Sequence, residues 1–178
     1  YSRNSLFSVF GRVNYSYDNK YLATATYRAD ASSKFRAANR WGYFPSFSLA
    51  WRISKEPFLE PIEAISDLKL RGGWGATGNN RIGDFVAYNL FSVNANSGYV
   101  LGDGEKYVPG AYQSNMAVPD LRWETTEQTN IGMDLQLFGK YGLTVDVYKK
   151  NTVDLLLNAD MAPSIGFATV QQNVGEVS

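Results

Sequence analysis

Three long runs of alternating residues between positions 6 and 53 constrain the fold of this chain more than any other feature. Odd positions hold mostly apolar or aromatic residues and even positions mostly polar ones, at about 6–17, 21–30 and 42–53. A period of two predicts extended strands with one apolar and one polar face. Each run has about the 9 to 11 residues that a tilted strand needs to cross a bilayer, whereas soluble strands usually have about 5 or 6. The runs therefore favour a membrane barrel.

Further strands follow the same pattern. The sequence predicts strands at about 68–77, 122–138 and 141–150, and residues 173–178 resemble the start of a seventh. Pro45 has the parity of the apolar face, and a proline inside a sheet suggests a bulge or a locally unpaired position. From 78 to about 120 the alternation disappears into Gly, Asn, Ser and Tyr. A connection of that length is expected to be functional.

The predicted connections alternate in length. Those after the first, third and fifth strands have 3, about 14 and 2 residues, and those after the second, fourth and sixth have about 11, 43 and 22. Outer-membrane barrels have short periplasmic turns and longer extracellular loops. With the short connections periplasmic, one end of the apolar face collects an aromatic girdle of the kind found at membrane–water boundaries. Its residues are Tyr15, Tyr17, Tyr21, Trp51 and Tyr141.

Composition excludes several classes of chemistry. The 178 residues include 17 basic and 17 acidic ones, so no net charge favours nucleic acid as a partner. There is no Cys and no His, which removes disulfides, thiolate chemistry and the commonest general base. No apolar run approaches the ~18 residues of a membrane helix, and no signal peptide opens the chain. Six tilted strands are fewer than the ~8 that close a bacterial barrel, so we expect an internal segment of a longer protein.

Nine blocks, in one order along the chain, resemble the SusC/RagA family of TonB-dependent outer-membrane transporters of Bacteroidetes. They are Gly11–Leu22, Ser32–Phe35, Trp41–Ser46, Ala50–Ile53, Ile65–Arg71, Trp74–Asn79, Pro119–Thr126, Thr129–Asp134 and Gln172–Val177. Where the family usually has glycine after the second strand, this chain has Ala31. We expect that difference to alter only local loop geometry.

The resemblance implies an all-β fold, an antiparallel transmembrane β-barrel segment of six strands and part of a seventh from a barrel of about 22 strands. Residues 1–178 would belong to that one barrel domain, with 79–120 as a long extracellular loop and the plug domain outside this chain. It further implies location in the bacterial outer membrane and import of glycans or peptides together with a SusD-like lipoprotein. TonB would act through the plug. No cofactor and no enzymatic activity are implied.

Two other interpretations, nucleotide binding and catalysis, have less support in the sequence than a membrane barrel. The segment 72–78 is rich in glycine, but a phosphate loop needs a lysine and a helix after it, and Asn79 with a long connection follows instead. Asp134 with Asp146, or Glu56 with Glu60 and Glu63, would be a candidate glycosidase pair. The first pair lies on the polar face, where carboxylates are ordinarily solvated, and the second group lies in a proline-broken connection. No cluster has metal-ligand spacing.

Two groups of residues are candidates for substrate contact. The charged residues of the polar face are expected to pair with one another or with a plug, the alternative being that they guide substrate along the lumen. Aromatic residues of the long loop have flat faces suited to stacking on sugars, and equally to packing the loop or meeting the lipoprotein. These loop candidates are Tyr88, Phe91, Tyr99, Tyr107 and Tyr112.

One alternative belongs to a different class of protein. A soluble secreted β-sandwich that binds carbohydrate would also combine many strands and aromatics with an absence of cysteine. The long strands and the aromatic girdle argue against it, because soluble strands are shorter and a sandwich has no reason to collect aromatics at one end.

Overall fold

The computed structural model describes residues 3–59, 61–101 and 106–178. Within these ranges the chain forms one seven-stranded antiparallel sheet and two small hairpins. The sheet, in spatial order, contains β1 (Leu6–Tyr17), β2 (Tyr21–Ser32), β3 (Trp41–Arg52), β4 (Ile65–Asn79), β7 (Glu124–Leu137), β8 (Tyr141–Val153) and β11 (Glu176–Val177). The hairpins pair β5 (Phe91–Leu101) with β6 (Lys106–Gln113), and β9 (Leu156–Asp160) with β10 (Thr169–Asn173). Short 3-10 turns lie at Ala37–Asn39, Ile53–Lys55 and Pro163–Ile165.

The six strands expected from the alternation are present, with ends within three residues of the predicted ones. The start of a seventh is also confirmed, because Glu176 and Val177 pair with Val153 and Thr152 of β8. The sequence analysis missed both hairpins and treated their segments as irregular. β5 and β9 lack a clean alternation, so only pairing with a partner strand reveals them. No helix in the described ranges has the length and apolar character needed to cross a membrane.

Two hairpins of the seven-stranded sheet, β1–β2 and β7–β8, are closed by turns with left-handed backbone at both central residues. In the β1–β2 turn Asp18 and Asn19 have φ of 51° and 50°, and Lys20 N–H donates to the Tyr17 carbonyl at 2.9 Å. Asp and Asn tolerate this conformation better than other non-glycine residues. The β7–β8 turn has the same geometry at Phe138 (φ 53°) and Gly139 (φ 64°). Phenylalanine is uncommon in this region of backbone space.

Pro45 marks the place where β3 and β4 separate. The pairing of β3 with β4 begins at Ser46 opposite Gly75, while Pro45 pairs with Tyr27 of β2 without a shift of register. The predicted locally unpaired position is therefore confirmed on the β4 side, and no bulge occurs there. The bulge of the sheet lies instead in β4, between Ile65 and Asp67.

The apolar face carries aromatic contacts near both ends. At the short-connection end, where the tight turns lie, Tyr21 stacks on Tyr17 and Trp51 with ring centroids 6.4 and 6.3 Å apart. At the long-connection end Phe7 meets Trp41 edge-on at 6.1 Å, and Tyr27 stacks on Tyr43 at 6.3 Å. The one-ended girdle of the sequence analysis was therefore incomplete. A second aromatic belt lies at the long-connection end. Its residues are on strands joined by the long β2–β3 loop, and only the pairing register places them at the same level of the sheet.

A small hydrophobic core, here called the long-connection cluster, consists of Phe35, Phe44, Ile82, Leu121 and Trp123. Phe35 and Leu121 are 0% exposed. The Trp123 ring centroid lies 5.3 Å from that of Phe35 and 5.5 Å from that of Phe44. A Cβ at Gly78 would overlap the Phe44 ring, so this glycine lets Phe44 cover β4 where β3 has separated from it. The cluster closes the gap left by the two strands.

Candidate functional site on the polar face

The middle of the polar face is a depression of about 610 Å³, here called the polar trough. The pairing register builds it from two rows that cross the sheet. One row contains Thr26, Ser46, Gly75 and Gln128, and the next contains Thr24, Ser48, Gly73 and Asn130. Arg12, Arg28 and Asp30 line its β1–β2 side. The trough therefore offers hydroxyls, amides and guanidinium groups.

Two glycines keep the floor of the trough low. A Cβ at Gly73 would lie 2.9 Å from the Asn130 Oδ1, and one at Gly75 would lie 2.9 Å from the Ser46 Cβ. Real Cβ atoms do not approach neighbours so closely, so any larger residue would displace the trough lining. The glycine-rich segment thus permits close packing, and it is a continuous strand rather than a phosphate loop.

One arginine links three strands beside the trough. The Arg71 Nη2 on β4 lies 2.7 Å from the Asp146 Oδ2 on β8, and its Nε lies 3.2 Å from the Asp134 Oδ2 on β7. The guanidinium crosses β7 over Gly132, where a Cβ would lie 2.9 Å from the Arg71 Cζ. The Thr144 hydroxyl donates to Asp134 at 3.2 Å. Both carboxylates of the candidate glycosidase pair are thus held in a structural ion-pair network.

Other charges on the polar face are also paired, as the sequence predicted. Arg28 lies 2.8 Å from Asp30, and Arg52 lies 3.7 Å from Asp67. Arg12 donates from its Nε to the Thr26 hydroxyl at 3.2 Å, and it forms no ion pair with any residue in the described ranges. Arg12 is therefore the trough cation that has no carboxylate partner in that part of the chain.

Two aromatic residues of the polar face escaped the sequence analysis as candidates. Phe10 pairs with Arg28 across β1 and β2, and Tyr148 pairs with Asn130 across β8 and β7. Both side chains are exposed, Phe10 to 73%. Their parity along the strands alone assigns both residues to the polar face. They provide flat surfaces on opposite flanks of the trough.

The loop candidates fall in different parts of the β5–β6 hairpin and its base. Tyr88 lies at the base, with the Arg36 guanidinium 5.4 Å from its ring centroid. Phe91 begins β5, and Tyr107 and Tyr112 lie five residues apart on β6, about 17 Å along the strand. The side chain of Tyr99 lies outside the described residues. Among the described side chains no ring contact joins these four residues, and contact of the group with substrate stays a prediction.

The hairpin base is fixed to the long-connection cluster. Asn115 accepts from the Leu90 N–H at 2.7 Å and donates to the Tyr88 carbonyl at 3.0 Å. The Val118 N–H donates to the Val86 carbonyl at 3.2 Å, and both residues pack on the cluster. These bonds join the two arms of the connection before the hairpin begins.

Several of the blocks that carry the family resemblance converge at this cluster. The Ser32 hydroxyl accepts from the Asn80 amide at 3.2 Å, and the Lys34 Nζ donates to the Ile82 carbonyl at 2.8 Å. Asn173 exchanges two hydrogen bonds, both of 2.9 Å, with the backbone of Arg122. Residues far apart in sequence therefore share one structural role, to order the bases of the long connections.

At the short-connection end, Glu56 ties the β3–β4 connection to the apolar face. Its Oε1 accepts from the Tyr21 hydroxyl at 2.8 Å and from the Trp51 Nε1 at 3.1 Å, and its Oε2 lies 3.7 Å from the Lys20 Nζ. The hydrogen bonds from Trp51 and Tyr21, aided by Lys20, hold the pKa of Glu56 below its ordinary value against the opposing effect of burial. Within the described ranges, no group of three or more His, Cys, Asp or Glu is placed to hold a metal ion.

Comparison with known proteins decides the family. The family model described as TonB dependent receptor-like, beta-barrel matches residues 1–178. The chain belongs to the TonB-dependent receptor β-barrel family. It is 43% identical over 182 residues to the TonB-dependent receptor SusC of Bacteroides thetaiotaomicron, which covers 99% of this chain and 18% of that protein. It is 39% identical over 175 residues to the TonB-dependent receptor P39 of Formosa agariphila, which covers 98% of this chain and 16% of that protein.

Solved structures agree. The chain superimposes on a structure of the RagAB peptide transporter with a TM-score of 0.85 and 32% identity, covering 97% of this chain and 18% of the matched one. The SusC/RagA-like resemblance and the barrel-segment fold are thus confirmed, and the sheet is an unclosed part of an outer-membrane barrel. The apolar face is accordingly the lipid-facing one. The chain spans less than a fifth of the length of these relatives.

Proposed function

We propose that this chain forms part of the lumen wall of an outer-membrane importer that takes up oligosaccharides or peptides. The observation that carries the proposal is the polar trough. It opens on the face turned away from lipid and combines small hydroxyl and amide side chains with the guanidinium of Arg12, which has no carboxylate partner within the described ranges. Wide barrels have a polar interior, and these groups suit ligands rich in hydroxyls or amides.

The proposal includes a direction and partners for transport. The long connections, including 79–120, would face the cell exterior, where a SusD-like lipoprotein would meet them, and TonB would supply energy through a plug. Similarity to the receptor SusC and to the RagAB peptide transporter supports this arrangement. Catalysis is not part of the proposal, since the relatives are receptors and Arg71 forms ion pairs with both Asp134 and Asp146.

A pair of matched substitutions in the full-length receptor tests the proposal. Thr26→Trp fills the trough, whereas Ala25→Trp, its neighbour on the strand, faces lipid and leaves the lumen unchanged. Uptake of labelled oligosaccharides and of labelled peptides would be measured in cells that carry each variant as their sole copy. We expect Thr26→Trp to lower uptake of one substrate class several-fold at equal receptor abundance, and Ala25→Trp to have little effect.

The outcomes are distinguishable. Uptake of neither class by the wild-type receptor would contradict the import proposal as a whole. Normal uptake by the Thr26→Trp receptor would retain import but remove the trough from the substrate path. The secreted β-sandwich is not favoured, because the apolar face of the seven-stranded sheet is exposed, with Val13 at 69% and Val147 at 68%, whereas a sandwich buries that face against a second sheet.

A further inference from the structure

Three large apolar side chains at the short-connection end are exposed although they lie outside the strands. Phe58 and Ile62 belong to the β3–β4 connection and are 64% and 44% exposed, and Phe138 in the β7–β8 turn is 63% exposed. These three residues are called the short-connection collar. Phe138 N–H donates to the Ala64 carbonyl at 3.0 Å, so the turn and the connection lie side by side.

The course of the β3–β4 connection places the collar beside the lipid-facing surface. Glu56 accepts hydrogen bonds from Tyr21 and Trp51, two aromatic residues of the short-connection belt. The carboxylate therefore lies on the lipid side of the sheet, and Phe58 follows two residues later. Phe58 thus follows a residue anchored to the apolar face, and Phe138 lies beside the same connection.

The backbone at Phe138 points to an external contact for its side chain. In the β1–β2 turn the left-handed positions are occupied by Asp18 and Asn19. In the β7–β8 turn the first such position is occupied by Phe138, with φ 53°. A bulky residue in this conformation is strained, and strain persists where something else requires the residue. No aromatic contact of Phe138 exists among the described residues, so its ring is available to a surrounding medium.

We propose that the short-connection collar inserts into the headgroup region of the phospholipid membrane and fixes the depth of this end of the barrel. Phospholipid is the occupant favoured by continuity with the aromatic belt, since aromatic and basic residues are typical of membrane interfaces. The exposed side chains of Lys55 and Lys140 lie three and two residues from Phe58 and Phe138, where they would meet lipid phosphates. This inference rests on family membership and not on the proposed substrate import.

Depth measurements on the full-length receptor in phosphatidylethanolamine–phosphatidylglycerol vesicles test the proposal. Single cysteines at Phe58, Phe138 and Asp18 would carry a nitroxide label, Asp18 being the tip of the matching turn without an apolar residue. We expect the labels at 58 and 138 to be more accessible to oxygen than to a polar nickel chelate, and the label at 18 to show the reverse. Chelate accessibility at 58 and 138 equal to that at 18 would overturn the proposal.

Two variants test the attachment of the connection to the belt. Glu56→Leu removes the acceptor for Tyr21 and Trp51, whereas Glu56→Gln keeps an acceptor oxygen. We expect the label at 58 to shift towards the chelate in Glu56→Leu and to stay at its depth in Glu56→Gln. An unchanged depth in both variants would overturn the role of Glu56.

Occupants other than lipid give different results in the same samples. If a second copy of the chain covered the collar, spin–spin broadening at 58 and 138 would grow with the protein-to-lipid ratio. If a separate protein covered it, the labels at 58 and 138 of the purified receptor would be accessible to the polar chelate. Either result would overturn the proposal.

Discussion

The long-connection cluster and the apolar, lipid-facing side of the sheet, here called the wall, bury their apolar residues in different surroundings. In the cluster, Phe35 and Leu121 are enclosed by other side chains of the same chain, whereas in the wall Val13 and Leu49 are more than half exposed. The wall relies on lipid for the burial that the cluster obtains from protein. The difference shows that one short chain carries a core typical of a water-soluble domain and a surface suited to hydrocarbon.

The largest expected effect comes from truncation inside the cluster. Phe35→Ala should lower the local stability of the long connections by about 3–5 kcal/mol, because the cavity cannot be filled. Hydrogen exchange in nanodiscs should show lost protection near residues 32–39 and 80–88, with the short-connection end unchanged. Phe47→Ala on the wall is the control, since lipid fills the space it vacates. Equal effects of the two changes would remove the distinction between the two regions.

A charge placed on the wall should have the next largest effect. Ala25→Arg should destabilise the folded barrel by about 2–4 kcal/mol if Ala25 faces the middle of the bilayer. Thr24→Arg, on the opposite face, should cost much less because its charge stays in the wet lumen. Folding into phospholipid vesicles in a denaturant series would measure both. Similar costs for the two variants would show that the faces have been assigned wrongly.

A methyl group beneath Arg71 should have a smaller effect. Gly132→Ala would press on the guanidinium and on the Asp146 carboxylate, at a cost of about 1–3 kcal/mol. Gly142→Ala is the matched control on β8, since an added Cβ there meets nothing within 4 Å. The same vesicle unfolding experiment applies. An unchanged free energy of unfolding in Gly132→Ala would mean that Arg71, Asp134 and Asp146 rearrange around the added methyl group without loss of stability.

The smallest expected effect is a pH dependence at the short-connection end. The pKa of Glu56 is lowered in the folded protein, so its contribution to stability is present above the unfolded pKa. It is lost as the pH falls through the lower, folded pKa. Hydrogen exchange at residues 53–62 should therefore accelerate in acid beyond its intrinsic pH dependence. Glu56→Gln should abolish that acceleration, and its persistence in the variant would assign the effect to another group.

Local sequence predicted the strands well because a strand needs only a period of two, which each run carries by itself. The tight turn at Asp18 and Asn19 and the unpaired position at Pro45 were predictable from single residues, because Asp and Asn tolerate left-handed backbone and proline has no N–H to donate. The β5–β6 hairpin was not, since its alternation is broken between Asn94 and Gly98, where the register shifts. The sequence predicted a polar face towards the lumen. The trough in that face was not predictable, because it depends on glycines of β4 that lie against Ser46 of β3 and Asn130 of β7.

The sequence by itself determined which residues face lipid and which face the lumen, because parity along a strand assigns a side chain to a face. The tertiary structure alone decided which strands lie side by side and at what height. That register lets Arg71 reach Asp146 across Gly132, and it aligns Phe7 with Trp41 in a second belt. It also gathers Phe35, Ile82 and Leu121 into one core. These contacts join residues tens of positions apart, and no local pattern records such distances.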